Sequence, residues 1–358
     1  MKKSILLAMS GGVDSTVAAL LLKQQGFEIT AVNLKLRPDA PVDESLQQSC
    51  EMLRIPLVIR DCCEAFYQRV LLPGAQEYAA GRTPNPCCEC NEVLKFREIF
   101  NTADELGISL IATGHYAKLA GNPDDTLKLV PARDPAKDQS YFLYRLAKES
   151  LQRCRFPLGD YLKSEVRELA QQAGLVCASR PDSQDACFQI PGECCGDTLS
   201  RLCRICGKRG KFIYQGKTVG KHPGIHRYTI GQRQGLGVAL GVPAYVKSID
   251  PIKGNIELCT DQKELENSQF RVERLNWQSA NIPFDDLMVK VRYRSKSVPC
   301  TFSPLTENSG IVTLTTPQRA VTPGQAAVFY DSEGSVLGGG VISPAPESRL
   351  DISQPQSF

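Results

Sequence analysis

The fold is decided by the stretch Ile5-Leu-Leu-Ala-Met-Ser-Gly-Gly-Val-Asp-Ser15. An apolar run leads into two glycines, and apolar residues then recur at helical spacing, which predicts a strand, a tight turn and a helix. Adjacent glycines, two serine hydroxyls and the free N–H groups of a helix amino terminus suit a bound phosphate. Asp14 would repel a phosphate unless a divalent cation lay between them. No lysine follows the turn, so the pattern is not a Walker-type loop.

The six residues Ser10 to Ser15 resemble the PP-loop of the ATP pyrophosphatase superfamily, whose members attack the α-phosphate of ATP and release pyrophosphate. This resemblance implies ATP and Mg²⁺ as cofactors and an adenine nucleotide alpha hydrolase-like fold. An ordinary helix-capping turn with serine as the cap is the alternative.

The bulk composition bounds the class of protein. The chain has 358 residues, enough for two or three domains, and a formal net charge of +3, so nucleic-acid contacts must come from local patches. No run of about 18 apolar residues occurs, and the amino terminus carries no cleavable apolar signal. We therefore expect a cytoplasmic protein with no membrane partner. Its 15 cysteines are then thiols, metal or cluster ligands, or redox-active groups.

Strand and helix patterns alternate up to about residue 175. This alternation predicts an α/β domain with a doubly wound, mainly parallel sheet that binds ligands at its carboxyl edge. The segments with clear periodicity are the strands Ser4–Ala8, Ile29–Leu34, Leu57–Arg60 and Leu110–Thr113 and the helices Asn91–Leu106 and Lys163–Ala173.

Glycine, proline and basic residues are frequent after Arg180, and only a weak helical pattern occurs near 198–203. Short β-rich segments separated by turns recur from Asn276 onward, which predicts a small β-barrel. They are Met288–Tyr293, Ser297–Phe302, Gly310–Thr315, Ala326–Tyr330 and Val336–Val341. We expect a PP-loop catalytic domain over 1–195, a central domain over 196–270, a C-terminal β-barrel over 271–346 and a loose tail over 347–358.

A cysteine motif, Gly81-Arg-Thr-Pro-Asn-Pro-Cys-Cys-Glu-Cys-Asn91, lies just before a predicted helix. Cys87 and Cys90 form a C-x-x-C pair, and thiols near a helix amino terminus tend to be acidified, which makes them better nucleophiles and metal ligands. Cys187 is a third candidate, because it follows the polar stretch Asp182–Asp185.

Taken together, these motifs resemble the tRNA-specific 2-thiouridylases of the MnmA type, from the first strand to the final barrel and in the order of that family. The matching segments are Ser10–Ser15, Gly81–Asn91, Ala112–Ala117, Lys137–Leu143, Phe156–Gly159, Asp182–Phe188, Tyr228–Gly237, Val291–Arg294 and Ala320–Tyr330.

The resemblance implies a tRNA-uridine 2-sulfurtransferase. In that family the enzyme adenylates O2 of the wobble uridine of tRNA with release of pyrophosphate, and sulfur then replaces the activated oxygen. A cysteine desulfurase or a sulfur-relay protein would supply persulfide or sulfide. A second thiol can release the product by thiol–disulfide exchange, which leaves a disulfide bond.

The resemblance also implies residue roles. Cys90 would be the first thiol, and Cys187 would carry the persulfide sulfur. ATP would contact Ala8, Met9, Ser10, Gly11, Gly12, Val13, Asp14, Ser15, Leu34 and Gly114. The tRNA would contact Asn85, Pro86, Cys87, His115, Lys137, Asp138, Gln139, Arg292, Tyr293 and Gln325.

One departure from the family pattern affects the mechanism, since many relatives carry Asp where this chain has Cys87. Three thiolates at Cys87, Cys90 and Cys187 suit a [4Fe–4S] cluster with an open fourth iron that holds hydrosulfide. Zinc is the rival metal. Ligand spacing does not separate a cluster from a mechanism that uses only persulfide.

A second cysteine group offers a structural zinc site or a thiol-rich basic loop. It comprises Cys194, Cys195, Cys203 and Cys206.

Two other functions compete with thiolation. A PP-loop synthetase would use ammonia to aminate an adenylated substrate, although such an enzyme has no use for three thiols. A non-catalytic RNA-binding protein could retain the fold, but the intact Asp14 and Ser15 argue against such decay.

Overall fold

The computed structural model describes residues 3–39, 42–122, 127–181, 186–279 and 281–344. The strands in these ranges form three sheets. They are β1 (Ser4–Ala8), β2 (Glu28–Lys35), β3 (Leu57–Asp61), β4 (Leu110–Thr113), β5 (Ala117–Ala120), β6 (Lys128–Pro131), β7 (Cys154–Arg155), β8 (Gly210–Tyr214), β9 (Lys217–His222), β10 (Tyr245–Asp250), β11 (Asn255–Cys259), β12 (Glu266–Trp277), β13 (Leu287–Lys290), β14 (Val298–Thr306), β15 (Ser309–Arg319), β16 (Ala326–Tyr330) and β17 (Val336–Ser343).

Most helices of the described residues pack around the first sheet. The α-helices are α1 (Val13–Gln24), α2 (Glu44–Leu53), α3 (Cys63–Phe66), α4 (Leu72–Ala79), α5 (Pro86–Cys90), α6 (Phe96–Glu105), α7 (Lys148–Arg153), α8 (Lys163–Gln172) and α9 (Cys195–Cys203). Two π-helical turns, Tyr67–Leu71 and Asn91–Lys95, and three 3₁₀ turns, Ser140–Leu143, Ile225–Arg227 and Gln262–Leu265, complete the set.

The N-terminal sheet is parallel, with the strand order β3-β2-β1-β4-β7. β1 lies at its centre, where Ile5 is paired with Ile29 on one side and with Leu110 on the other. The strand order reverses between β1 and β4, and a doubly wound sheet opens its ligand crevice at such a point. The predicted fold class and four predicted strands are therefore confirmed, and the Ser10–Ser15 turn lies at this crevice.

A nearly continuous helical segment follows the cysteine motif. It begins at Pro86, five residues before the predicted start, because Asn85 caps α5 by accepting a hydrogen bond from the Cys88 N–H (3.3 Å). The π-helical turn Asn91–Lys95 then joins α5 to α6. Such turns frequently occur at functional sites.

The middle of the chain forms a four-stranded sheet in the order β10-β11-β8-β9. Its small core contains Phe212, Ile225, Tyr228 and Val246. Helix α9 precedes this sheet and packs against α4 of the first domain, so the middle domain is anchored to the catalytic domain by the helix that bears Cys195.

The C-terminal strands form an antiparallel barrel in the order β12-β15-β14-β13-β16-β17, and the pairing of β12 with β17 closes it. Closure leaves no free sheet edge within the barrel. Five of these strands correspond to predicted segments. The sequence analysis missed the long strand β12, because apolar residues do not recur along it at a regular spacing.

The hairpin β5–β6 of the N-terminal domain joins the barrel sheet through pairing of Leu129 with Val336. Tyr141 and Tyr144 of the same domain share a hydrophobic core with Val328 and Tyr330 of the barrel. The sequence did not predict these contacts between the two domains. They make the barrel continuous with the N-terminal domain.

Among the described residues, no helix combines the length and apolar character needed to span a membrane. The tail predicted over 347–358 lies outside the described residues, as does Asp182–Asp185 before Cys187.

Tyr141 provides a test of the shared core. Its buried hydroxyl donates to the Ala326 carbonyl (2.8 Å). Tyr141→Phe leaves that carbonyl unsatisfied, which costs about 1–3 kcal/mol and lowers the melting temperature by several degrees. The control is Tyr214→Phe, whose hydroxyl bonds Thr260 Oγ1 (3.1 Å) at a half-buried site. Equal melting temperatures of the two variants in differential scanning calorimetry would contradict the shared core.

Candidate functional site

The conformation of the glycine turn is fixed by a glycine with positive φ and by hydrogen bonds within the turn. Gly11 adopts φ +81°, and Ser10 N–H donates to Ser15 Oγ (3.2 Å), whose hydroxyl donates to Gly12 O (3.2 Å). Gly12 caps α1 with no side-chain hydrogen bond, so the alternative of a serine-capped helix is wrong. The first-turn N–H groups receive no cap and are free to bind an anion.

Gly114 presses directly on this turn from the end of β4. A Cβ at Gly114 would lie 3.0 Å from Ser15 N and 3.1 Å from Ser15 Cα. Only glycine permits such a close approach of two backbones. The end of β4 and the turn after β1 therefore form one surface, which is what the implied contacts of both with ATP require.

Asp14 is paired by two side chains that the sequence did not single out. Lys163 Nζ lies 2.6 Å from Asp14 Oδ1, and the Tyr116 hydroxyl donates to the same oxygen (2.7 Å). Lys163 is the first residue of α8 and is buried. A cation at a helix amino terminus opposes the helix dipole, and this was the available sequence signal for a functional lysine.

The loop that leads to the cysteine motif is clamped by both other domains. Thr83 N–H donates to the Pro323 carbonyl of the barrel region (2.8 Å), and Gln325 Nε2 donates to the Thr83 carbonyl (2.8 Å). Thr83 Oγ1 also donates to Thr229 Oγ1, which lies between β9 and β10 of the middle domain (3.1 Å). Gly324 packs so tightly that an added Cβ would meet Thr83 C at 2.8 Å.

Cys87, Cys90 and Cys187 lie close enough for their charges to interact. Cys87 and Cys187 are exposed and Cys90 is buried. The expectation of acidified thiols is wrong. Although Cys87 and Cys187 keep part of their surface exposed, desolvation by the surrounding protein raises the pKa of all three thiols, that of Cys90 to about 12, and outweighs the opposing charge of Lys95.

Lys95 is the second cation that the sequence did not single out. It ends the π-helical turn, and its charge lowers the pKa of each of the three thiols. The same charge helps burial to hold the pKa of His115 well below its ordinary value. Lys95 is therefore near both the thiols and His115, which follows Gly114 in the chain.

A metal site requires at least three converging ligands. Within the described ranges, no group of three His, Cys, Asp or Glu side chains is arranged to hold a metal ion. The candidate trio of Cys87, Cys90 and Cys187 does not fit a cluster as it stands, and the group at Cys194, Cys195, Cys203 and Cys206 does not form a zinc site.

Six of the residues implied as tRNA contacts fall into two groups. Arg292, Tyr293 and Gln325 connect domains: Arg292 Nη2 donates to Thr322 Oγ1 (3.1 Å) and to Ile230 O (3.4 Å), and the Tyr293 ring packs on Phe142 with centroids 4.4 Å apart. Such side chains have a structural role whether or not they also contact RNA.

The second group shapes the turn after β6. Asp138 is buried, and its carboxylate accepts from Ala132 N–H (3.0 Å) and from the Ser140 hydroxyl (2.9 Å), so it organises the turn and faces no solvent. Gln139 Oε1 accepts from Tyr116 N–H (3.0 Å). Lys137 is half-buried in the same turn.

Family models match most of the chain. The tRNA methyl transferase HUP domain matches residues 3–191, the tRNA methyl transferase PRC-barrel domain matches 202–260 and the aminomethyltransferase beta-barrel domain matches 267–342.

Curated relatives match at full length. The tRNA-specific 2-thiouridylase MnmA 1 of Clostridium tetani is 40% identical and covers 97% of this chain and 99% of its own length. The tRNA-specific 2-thiouridylase MnmA of Syntrophotalea carbinolica is 42% identical, with 95% and 99% covered. A solved 4-thiouridine synthetase–RNA complex with bound ATP is 17% identical over 56% of this chain and 50% of that one, with a TM-score of 0.36, which is too partial to bear on function.

His115 provides a test of the position of Lys95 near the thiols and the buried imidazole. Its ring stacks on Phe96 (centroids 5.8 Å apart) and shares a hydrogen bond of 2.7 Å with Thr113 Oγ1 through Nδ1. Because burial and Lys95 both lower its pKa, we expect the imidazole to stay neutral well below pH 6.5. An NMR titration measures this directly. Lys95→Met should raise the midpoint, and an ordinary midpoint in the unmodified protein would refute the arrangement.

Proposed function

Because the chain belongs to the MnmA family of tRNA-specific 2-thiouridylases, we propose that it replaces O2 of the wobble uridine of tRNA with sulfur in an ATP-dependent reaction. The chain is thus a tRNA-uridine 2-sulfurtransferase, and we place its activity in the cytoplasm.

One observation carries the proposal. Lys95 acts electrostatically on all three thiols and on His115, whose neighbour Gly114 packs against the Ser10–Ser15 turn. A nucleotide at the turn and sulfur at the thiols would therefore meet at one substrate. Leu34 at the end of β2 supports this, because it packs against both the core that contains Cys88 and the core that contains Cys90.

In the first step, uridine O2 attacks the α-phosphorus of ATP, and pyrophosphate leaves. The free N–H groups of α1 and the hydroxyls of Ser10 and Ser15 would hold the phosphates. Asp14 fits a Mg²⁺ site, since this ion is usually bound by one or two carboxylates together with substrate phosphates. When bound, Mg²⁺ would neutralise the charge of the departing pyrophosphate. Lys163, which pairs with Asp14, would contact a phosphate oxygen.

In the second step, the outer sulfur of a Cys187 persulfide attacks C2 of the adenylated base, and AMP leaves. Cys90 then attacks Cys187 Sγ, which frees 2-thiouridine and leaves a Cys90–Cys187 disulfide that a dithiol reductant must reopen. Because the pKa of Cys90 is about 12, this attack needs a proton acceptor or the nearby charge of Lys95. No step requires a cluster.

The base must leave its stack to reach this site. The tRNA-facing side chains we propose are Asn85, Pro86, Cys87, His115, Lys137, Gln139, Arg292, Tyr293 and Gln325, with Asp138 behind them. Exposed Lys217, Lys221 and Arg233 of the middle domain would add phosphate contacts.

Cys187→Ser tests the thiolation. We expect purified protein with ATP, Mg²⁺, a persulfide donor and unmodified tRNA to yield thiolated uridine, AMP and pyrophosphate, and the variant to yield no thiolated uridine above background, because it cannot carry the persulfide sulfur. Mass spectrometry of digested tRNA measures the product.

Cys63→Ser is the matched control, since this half-buried thiol lies outside the trio. Unchanged thiolation in Cys187→Ser would remove Cys187 from the mechanism, and dependence on ammonia in place of sulfide would favour the aminating synthetase. Iron analysis of anaerobically purified protein, compared with Cys87→Asp, tests the cluster alternative: iron-dependent activity that Cys87→Asp abolishes would replace the persulfide route.

Lys163→Met tests the adenylation step. Loss of a positive charge at the phosphates lowers tRNA-dependent pyrophosphate release by about 100-fold, while Lys163→Arg keeps part of the rate. The control is Lys118→Met, which removes an ammonium ion paired with Asp160 (3.3 Å) at the surface. A wild-type rate of pyrophosphate release in Lys163→Met would show that Lys163 only supports the fold.

A further inference from the structure

A second pair of thiols lies against the catalytic trio. Cys194 and Cys195 form the amino end of α9, where Cys194 Sγ accepts a hydrogen bond from Asp197 N–H (3.4 Å). Cys194 is exposed and Cys195 is half-buried. The pair therefore extends from solvent toward the protein interior.

Cys195 packs into the core that contains the catalytic motif. That core includes Cys90, together with Ala186 and Phe188, which flank Cys187 in the chain. Cys195 and Cys87 are also close enough for their charges to interact. One hydrophobic cluster thus carries both thiol groups, although more than 100 residues separate Cys87 from Cys195 in the sequence.

The amino end of α9 is fixed in place. Gly196 packs on the middle domain so closely that an added Cβ would meet His226 O at 1.8 Å, and Asp197 Oδ2 pairs with Arg227 Nε (2.9 Å). Tyr78 is buried and lies close enough to Cys195 for their charges to interact. The pKa of Cys195 is about 11 because of burial, and the Tyr78 hydroxyl opposes this shift, as a donor to the thiolate does.

We propose that Cys194 and Cys195 form a relay that receives persulfide sulfur at the surface and delivers it through Cys87 to Cys187, a route that rests on the proposed thiolation. The relay gives Cys87 a function of its own, and it gives the exposed Cys194 the role of docking point for a protein that carries a persulfide.

Each transfer is a balanced exchange. The Cys87 thiolate attacks the outer sulfur of a Cys195 persulfide; the new bond joins Cys87 Sγ to that sulfur, and the bond between Cys195 Sγ and that sulfur breaks. Cys195 leaves as a thiolate and takes up the proton that Cys87 has lost. No oxidant or reductant is consumed, because one persulfide replaces another. The Tyr78 hydroxyl stabilises the departing Cys195 thiolate.

Sulfur tracking in the full-length protein tests the relay. The donor is serum albumin that carries a ³⁴S-labelled persulfide, because so large a carrier delivers sulfur only to thiols at the surface. Samples are quenched with iodoacetamide at intervals, digested and analysed by mass spectrometry. We expect label first on Cys194 and Cys195 and later on Cys87 and Cys187. In Cys195→Ser, label on Cys187 should appear at least about tenfold more slowly.

Cys206→Ser is the matched control, since Cys206 is an exposed thiol on the same segment. In this variant, label should appear on Cys187 at the wild-type rate. A second measurement needs no variant: mild oxidation of the wild-type protein with diamide should yield a Cys87–Cys195 disulfide in non-reducing peptide maps. Label on Cys187 at the wild-type rate in Cys195→Ser, or the absence of that disulfide, would overturn the relay. Thiolation by the wild-type protein with a small-molecule persulfide, which can load Cys187 without the relay, tests the proposed function separately.

Discussion

The fixed position of the Thr83–Pro86 loop is the constraint on which the rest of the site depends. Hydrogen bonds from Thr83 and Gln325 tie this loop to the barrel, and a bond to Thr229 ties it to the middle domain. Helix α5 begins directly after the loop, so the direction in which Cys87 and Cys90 point is set by all three domains. The barrel and the middle domain therefore shape the catalytic loop even in the absence of RNA.

The second constraint is electrostatic. A five-residue helix such as α5 supplies little dipole. Desolvation exceeds it, most of all at Cys90, which packs among Phe66, Leu94 and Phe188, so the thiols of the trio are harder to ionise than free cysteine. Lys95 is the cation that opposes this penalty. Thiols that stay protonated until a substrate or a persulfide arrives are protected from adventitious oxidation.

Periodicity predicted the parts of the fold that are locally encoded. β1, β4 and β16 were predicted with their observed bounds, because buried parallel strands and barrel strands read as short apolar runs between turns. Prediction failed where long-range contacts decide the structure. The hairpin β5–β6 pairs with β17, some 200 residues away, and β12 has no apolar pattern of its own. Lys163 and Lys95 lie on ordinary helical segments, and only the folded chain brings them to Asp14 and the thiols.

The sequence by itself determined the glycine turn at Ser10–Ser15, the α/β class and the C-x-x-C pair Cys87 and Cys90, because glycine conformation, strand period and cysteine spacing are properties of neighbouring residues. Only the tertiary structure decided that Asp14 is held by Lys163 and Tyr116, that the trio is desolvated, and that Cys195 lies beside Cys87. The reason is physical: burial and charge–charge distances arise from packing between segments far apart in the chain, and no local pattern records them.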